Sequence, residues 1–220
     1  MLVALLIGLG VWQLQRRAEK LRLIAQVERN IAAAPVPAPA IAGPADAYRR
    51  VAVRGRFRHG SETWVKAVTE RGEGFWLITP LVGARTVLIN RGFVTSLSAL
   101  PGESRGGASA GGAAAIDRPA GEVVIAGLLR LTEPGGGFLR ANDPARDRWF
   151  SRDVAAIARA KQLGAVAPYF IDAPAGGRGN PVGGLTVVAF RNNHLIYALT
   201  WFGLAALTAY AMFRLVRLRR

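Results

Sequence analysis

The chain has 220 residues, of which 51% are hydrophobic, and its formal net charge is +15. This length accommodates one domain with membrane segments, or at most two small domains. The absence of cysteine excludes disulfides, thiolate metal sites, iron–sulfur clusters, c-type haem attachment and a cysteine nucleophile. The positive charge is scattered arginine without a nucleic-acid-binding motif, so we expect attraction to anionic lipid and no nucleic-acid partner.

The N-terminus is apolar. Residues 1–11 carry no charged side chain, and Trp12 and Gln13 follow before Arg16. This run is shorter than the roughly 20 residues that a membrane-spanning helix needs. A signal peptide is the alternative, but neither basic residues before the run nor a small-residue cleavage site after it support one. We therefore expect residues 1–15 to be the last part of a first transmembrane helix that begins upstream.

Residues 16–47 predict an amphipathic stalk followed by a linker. Apolar residues keep a helical spacing from Leu14 to Ile31, with charged residues between them. Four prolines then end the helix and favour a semi-rigid linker. They are Pro35, Pro37, Pro39 and Pro44.

Residues 48–191 predict a β-rich extramembrane domain. Short apolar or alternating segments, separated by turn residues, indicate strands at 49–57, 63–68, 75–81, 85–94, 122–131, 169–172 and 185–190. Such a series is typical of a mainly antiparallel sheet or a partly closed barrel. One helix is expected to start near Ser151 or Asp153 and to end before Gly164. The Gly/Ala/Ser-rich residues 101–121 predict a mobile surface loop.

The C-terminal segment predicts a second transmembrane helix over residues 192–214. No charged residue occurs from Leu195 to Phe213, a run long enough to cross a bilayer. The basic residues 215–220 should remain in the cytoplasm by the positive-inside rule, which places the domain outside. The basic residues after Trp12 favour the opposite orientation. The fold class is thus a membrane-anchored α+β protein, in which two transmembrane helices flank a β domain with one or two helices.

His194 lies at the predicted outer end of the second transmembrane helix. A neutral imidazole at this depth can bind a metal or haem iron. Tyr197 and Trp201 follow at helical spacing on the same face, and Arg191 precedes the helix, where it can pair with acidic groups such as haem propionates. The alternative is that His194 caps the helix at the membrane interface, with Tyr197 and Trp201 as ordinary interfacial aromatics.

Signatures of catalysis are missing from the sequence. His59 lies in a turn between two predicted strands, where we expect it to be exposed. Asp143, Asp147 and Asp153 lie among arginines, which favours ion pairing over acid–base catalysis. Because no nucleophile, P-loop or dinucleotide motif occurs, we predict no catalytic residues and no enzyme activity.

Six short motifs occur along the chain, each of them weak alone. They are Gly10-Val11-Trp12-Gln13 with Arg16 and Lys20; Gly55-Arg56-Phe57; Gly74-Phe75-Trp76 with Thr79-Pro80-Leu81; Val87 to Val94; Asn142-Asp143-Pro144 with Trp149 and Arg152-Asp153; and Asn192-Asn193-His194-Leu195 with Tyr197, Ala198, Thr200 and Trp201. In this order, bracketed by two predicted membrane helices, the chain resembles the surfeit-locus cytochrome oxidase assembly factors (the Surf-one and Shy-one proteins), of the bacterial type.

The resemblance implies a function in assembling haem-copper cytochrome c oxidase. It implies transient binding of haem a, with His194 as the iron ligand and Trp201 near the porphyrin, and insertion of haem into the catalytic subunit. The implied partners are this subunit, the haem a synthesis machinery and membrane lipid. The implied location is the bacterial inner membrane, crossed more than once, with the soluble domain on the periplasmic side.

Three alternatives remain at this point. The first is a scaffold that stabilises an oxidase assembly intermediate without binding haem. The second is an enzyme of haem modification, which the lack of cysteine and of paired histidines makes less favourable. The third is a generic envelope domain with two anchors that has no connection to the oxidase.

Overall fold

The computed structural model describes residues 1–95, 116–175, 180–186, 190 and 192–218. The chain divides into two structural units. One unit contains residues 1–28 and 188–220 and is built from two long helices, and the other contains residues 29–187 and is rich in β structure.

The helical unit is an antiparallel pair. Helix α1 (Leu2–Ala32) runs without interruption through the predicted membrane segment and most of the stalk, and helix α3 (His194–Leu218) forms the C-terminal segment. Lys20 contacts Phe190, Gln13 contacts His194, and Gly10 lies against Phe202. Because residue numbers fall along α1 as they rise along α3, the two helices are antiparallel.

Helix α3 is apolar and largely exposed. Among the described residues, it is the helix that is long and apolar enough to cross a membrane, with a mean hydropathy of 1.6 over its most apolar window. Only 11% of that window is buried within the protein. Its large side chains, among them Ile196, Leu199 and Leu207, are therefore available to an apolar surrounding.

In its described residues, the β unit contains six longer strands and one short α-helix. The strands are β2 (Arg50–Phe57), β3 (Thr63–Thr69), β4 (Gly72–Val82), β5 (Thr86–Val94), β6 (Glu122–Leu131) and β9 (Val166–Asp172). Two-residue strands are β1 (Val36–Pro37), β7 (Gly136–Gly137) and β8 (Arg140–Ala141). Helix α2 (Val154–Ala160) precedes β9.

The main sheet curls into a barrel-like form. Its strand order is β1-β2-β6-β9-β5-β4-β3, and a further pairing between β2 and β4 joins the sheet to itself. Neighbouring strands are antiparallel except for the parallel pairs β1–β2 and β5–β9. The predicted mainly antiparallel, barrel-like domain is confirmed, with β3 attached to the outside of β4 as the last strand in the order.

Alternating residues of the strands supply two separate apolar clusters. Val87 and Ile89 of β5 lie in one cluster together with Tyr169 and Ile171 of β9. Leu88 of β5 lies in the other, with Trp149, Phe170 and Ile157 of α2. Each such buried side chain contributes about 1.5–3 kcal/mol relative to exposure, so both faces of β5 hold the domain together.

Most of the predicted elements are confirmed at nearly the predicted ends. The first six predicted strands correspond to β2–β6 and β9, and Asp153 is the N-cap of α2, accepting a hydrogen bond of 3.0 Å from Ala156 N. The strand predicted at 185–190 is not supported, since residues 185, 186 and 190 lie in no strand and 187–189 lie outside the described residues. Most of the predicted loop 101–121 also lies outside them.

The linker differs from the prediction. Val36 and Pro37 pair in parallel with Val51 and Ala52 of β2, and the hydroxyl of Tyr169 donates a hydrogen bond of 2.6 Å to the Pro39 carbonyl. The proline-rich segment is therefore part of the β unit.

Candidate functional site

The imidazole of His194 is held by a residue of α1. Its Nδ1 atom lies 2.7 Å from Gln13 Oε1. A carbonyl oxygen can only accept, so Nδ1 carries the proton in this bond and the neutral ring keeps its lone pair on Nε2. Among the described residues, none forms a hydrogen bond with Nε2. The half-buried ring thus has one fixed nitrogen and one available as a ligand.

Small residues allow the two helices to approach closely enough for this bond. A Cβ atom on Gly10 would collide with the ring of Phe202, so the aromatic ring occupies the space that glycine leaves. On α3, Ala198 and Ala205 are buried two turns apart. Small residues at a helix contact are typical of packing in membranes. Gln13 lies one turn after Gly10 on the same face, which brings its amide to His194.

A second polar group near His194 is incompletely bonded. The side-chain Oδ1 of Asn192 is buried and has no hydrogen-bond partner among the described residues. A buried acceptor without a donor costs about 1–3 kcal/mol, so such atoms in folded proteins indicate a water, an ion or a ligand. This atom lies two residues before His194, at the same helix end.

The other predicted site residues, Trp201, Tyr197 and Arg191, do not all lie at the contact between the two helices. Trp201 is half-buried, two helical turns after His194 on the same side of α3. Tyr197 is 55% exposed and so takes little part in the helix contact. Arg191 lies outside the described residues. Gln13 was not predicted as a site residue; its one sequence signal is a lone amide three residues after Gly10 in an apolar segment.

The predicted exposure of His59 is wrong. Only 22% of its side chain is exposed, and both ring nitrogens are engaged. Nδ1 lies 3.2 Å from Glu62 Oε1, and Nε2 lies 3.1 Å from the carbonyl of Pro119. The chain just before β6 returns over the turn and covers the histidine, where Arg118 also donates to Glu62 at 2.8 Å. His59 joins two segments of the β unit.

The three aspartates near Trp149 maintain the structure. Arg146 donates to Asp143 at 3.0 Å and lowers the pKa of this carboxyl below its usual value. Asp147 accepts from Lys161 and from the Trp149 indole. The predicted ion pairing of these two aspartates is confirmed. Among the described residues, no group of three histidine, cysteine or acidic side chains could hold a metal ion.

A network of hydrogen bonds around a buried carboxylate, which the sequence did not predict, lies at the end of β9. Asp172 is 3% exposed and accepts hydrogen bonds from Asn90 at 2.8 Å, Arg130 at 2.7 Å and Thr186 at 2.8 Å. Arg152 is paired with the same carboxylate at 3.5 Å. Gly92 has φ +135°, and a Cβ there would collide with the carbonyl of Val182. Asn90 and Gly92 of the fourth motif thus support the fold.

Comparisons with known proteins agree with the motifs. The model of the SURF1 family matches residues 1–206. Surfeit locus protein 1 from Homo sapiens is 39% identical over 94% of this chain and 72% of its own length, and that from Rattus norvegicus is 38% identical over 94% and 71%. The SURF1-like protein from Drosophila melanogaster is 32% identical over 94% and 72%. The predicted resemblance is confirmed, and the chain belongs to the SURF1 family.

Proposed function

We propose that the chain is an assembly factor for haem-copper cytochrome c oxidase that holds haem a on His194 and passes it to the catalytic subunit. Membership of the SURF1 family, known for cytochrome oxidase assembly factors, supports the first part. The observation that carries the second part is the bond from His194 Nδ1 to Gln13, which orients the ring and leaves Nε2 free. A ligating histidine is usually held through its other nitrogen in this way.

The residues around His194 fit a haem as cargo. A neutral imidazole is an ordinary axial ligand of haem iron. Trp201 offers a half-buried aromatic ring. The Asn192 Oδ1 atom is an acceptor without a donor among the described residues, so it suits a hydroxyl group of the cargo and not an ionised propionate, which can only accept. The first turn of α3 has backbone N–H groups and the positive end of the helix dipole, which favour carboxylates such as propionates. Arg191 and Tyr197 are further candidates for contacts at the edge of the porphyrin.

The proposed role is to bind a reactive haem and to release it to its recipient, which requires no catalytic residue. Haem a is apolar with a long isoprenoid tail, and the exposed apolar side chains of α3 suit contact with lipid and with that tail. A single histidine ligand binds modestly, so the ligands of the catalytic subunit can outcompete it. The proposed partners are that subunit, the haem a synthesis machinery and membrane lipid.

The proposed location is the bacterial inner membrane, crossed by both long helices, with the β unit on the periplasmic side. Helix α3 has the length and hydropathy of a span, and its basic C-terminal residues favour a cytoplasmic end. In the antiparallel pair, the chain leaves α1 and enters α3 at the same end. Because the β unit lies between α1 and α3 in the chain, two crossings would keep it on one side of the membrane.

Replacement of each of the two histidines tests the haem proposal. The full chain, His194→Ala and the matched control His59→Ala are purified in detergent from cells that make haem a, and the haem-to-protein ratio is read from the absorption spectrum. We expect a loss of at least about tenfold for His194→Ala and little change for His59→Ala. Gln13→Leu removes only the orienting bond and should lower haem retention about tenfold, the usual lower bound for such a partner.

The outcomes separate the two functions. If His194→Ala retains as much haem as the native chain, haem carriage is contradicted, and the scaffold that stabilises an oxidase intermediate remains. Deletion of the protein should lower cytochrome oxidase activity in cells. Undiminished oxidase activity in that strain contradicts the assembly role itself.

A further inference from the structure

The β unit contains a basic and aromatic cleft that the proposed haem site does not use. This β3 cleft has a volume of about 850 Å³, within the range of natural ligand sites. Five cationic side chains line it: Lys66, Arg118, Arg140, Arg146 and Arg148. Two acidic residues, Glu62 and Asp147, lie among them, and Glu73 and Asp143 pair with Lys66 and Arg146 from beside the cleft. The cationic side chains still outnumber these acidic ones.

One wall of the β3 cleft is the outer face of β3. Val65 and Ala67 are buried, so the alternating residues Trp64 and Lys66 point outward. The ring of Trp64 makes an edge contact with Phe75, with centroids 6.5 Å apart, and the Lys66 ammonium lies 5.5 Å from the Phe75 centroid. This wall therefore offers aromatic faces beside a cation.

The opposite wall is formed by residues 140–150 and is fixed by hydrogen bonds. Asn142 Oδ1 accepts from the backbone N–H groups of Phe150 at 2.8 Å and Ser151 at 3.1 Å. Lys66 N donates to the Trp149 carbonyl at 2.8 Å, which ties this wall to β3. The cleft is thus formed before any ligand arrives, which lowers the entropic cost of binding.

Two arginines in the cleft, Arg140 and Arg148, form no salt bridge with a described carboxylate, although the charge of Arg148 helps to lower the pKa of Asp143 and Arg140 lies over the Phe150 ring. Glu62 is occupied by Arg118 and Asp147 by Lys161, each at 2.8 Å. Arg140 and Arg148 are exposed, and within the described part of the chain neither has a carboxylate oxygen within 4.0 Å. A guanidinium binds a carboxylate with two parallel hydrogen bonds, so these two side chains are matched to acidic groups from another molecule.

We propose that the β3 cleft binds an acidic, aromatic-containing segment of a partner protein. Its carboxylates would pair with Arg140 and Arg148, and its aromatic groups would contact Trp64 and Phe75. The cleft also offers main-chain groups, because β3 is the last strand of the sheet order and Trp149 already forms a parallel bridge to Val65 on its free edge. A peptide can extend such pairing, whereas a nucleic acid cannot. This proposal does not depend on haem binding.

A fluorescein-labelled peptide in which glutamate alternates with tyrosine is the probe, and fluorescence anisotropy with the full chain in detergent measures its affinity. Arg140→Glu/Arg148→Glu should raise the Kd at least about tenfold, because like charges then face each other. Arg50→Glu/Arg159→Glu changes the net charge equally at exposed positions outside the cleft and should alter the Kd by less than about twofold. Trp64→Ala should weaken binding about threefold through the aromatic contacts.

Several outcomes would overturn the proposal. The first is equal binding of a peptide with glutamine in place of glutamate, and the second is unchanged affinity of Arg140→Glu/Arg148→Glu. Tighter binding of single-stranded oligothymidylate or of phosphatidylglycerol vesicles at the same salt would assign the cleft to nucleic acid or lipid instead. If the double variant unfolds at a lower temperature, Arg148→Gln replaces it. His194→Ala should bind the peptide as the native chain does, which separates this test from that of haem binding.

Discussion

The Asp172 network of the β unit and the His194 end of the helical unit use their polar side chains in opposite ways, although Thr63 Oγ1, Thr79 Oγ1 and Arg91 Nη1 of the β unit are also buried without a hydrogen-bond partner among the described residues. In the β unit, Asp172 accepts from three side chains and is also paired with Arg152, and Asn142 Oδ1 accepts from two backbone N–H groups. In the helical unit, His194 has one bonded nitrogen and one without a partner among the described residues, and Asn192 Oδ1 is unpaired there as well. The fully bonded Asp172 stabilises the fold, whereas the incompletely bonded Asn192 lies beside a histidine nitrogen that can bind a metal, so that a ligand can supply the missing partners.

This difference separates the expected effects of mutation. Loss of a fully bonded residue in the β unit should reduce the free energy of unfolding, because its former partners remain buried without it. Loss of His194 should leave the helix pair intact and reduce ligand retention. Measurements of stability on matched pairs of variants can confirm or contradict this division.

The largest effect is expected for Asp172→Ala. This change leaves Asn90 and Thr186 without their acceptor and removes the buried carboxylate between Arg130 and Arg152, although Glu133 still pairs with both arginines. We therefore expect a loss of about 3 kcal/mol, the lower end for removal of one partner of a buried ion pair. Glu122→Ala is the control, since Glu122 is 55% exposed in its pair with Arg54 and should lose less than about 1 kcal/mol. Denaturant unfolding of the full chain in detergent measures both values. Equal losses would contradict the structural importance given to the network.

The next effect concerns two glycines of α1. Gly10→Ala places a methyl group against the Phe202 ring, and such overpacking costs about 1–3 kcal/mol. In Gly8→Ala the added methyl group has no neighbouring atom within 4 Å, so this change should stabilise the helix by up to about 1 kcal/mol. The same substitution should therefore have opposite signs two residues apart, as followed by thermal loss of helical circular dichroism. Stabilisation by both changes would show that the helices do not meet at Gly10.

Local pattern in the sequence was sufficient for most elements of the β unit. The run from Val87 to Val94 is apolar on both strand faces, and β5 accordingly lies between two apolar clusters. The closure of the barrel was not predictable in detail, because it depends on Arg56 and Phe57 pairing with Val82 and Leu81. The local sequence of each segment does not indicate that the other segment is its pairing partner.

The same limit applies to the site. His194 could be found from the sequence because it begins an apolar run of membrane length. Gln13 lies 181 residues away, and its pairing with His194 requires the antiparallel helices to be known. The exposure of His59 was misjudged for a related reason, since the Pro119 carbonyl that covers it lies 60 residues further along the chain. Partners distant in sequence decide which histidine is bonded at both nitrogens and which at one.

A smaller effect is expected at Tyr169, where the linker joins the barrel. Burial raises the pKa of the Tyr169 phenol above its ordinary value of 10.0, and its hydroxyl donates to the Pro39 carbonyl. Tyr169→Phe should cost about 1 kcal/mol at neutral pH. Because the folded state favours the neutral phenol, this advantage of the native chain is full below about pH 10 and is lost as the pH rises through the folded pKa. The test is the free energy of unfolding of the native chain and of Tyr169→Phe, measured from neutral to alkaline pH. A constant difference between the two proteins over this range would contradict the expected pH dependence.

The smallest effect on stability is expected for the exposed ion pair between Lys66 and Glu73 in the β unit. It tests whether an ion pair contributes to the stability of the fold when it is not buried. Lys66 donates to Glu73 at 2.7 Å and lowers the pKa of this exposed carboxyl below its ordinary value of 4.5. Lys66→Gln should bring the Glu73 pKa back toward 4.5 in a carboxyl NMR titration, while Lys161→Gln should leave it unchanged. The unfolding temperature of Lys66→Gln should stay close to that of the native chain, because exposed ion pairs contribute little to stability. If the unfolding temperature of Lys66→Gln fell as far as that of Asp172→Ala, burial would not decide how much an ion pair stabilises the fold. The comparison of the two units would then depend only on the number of hydrogen bonds that each polar group forms.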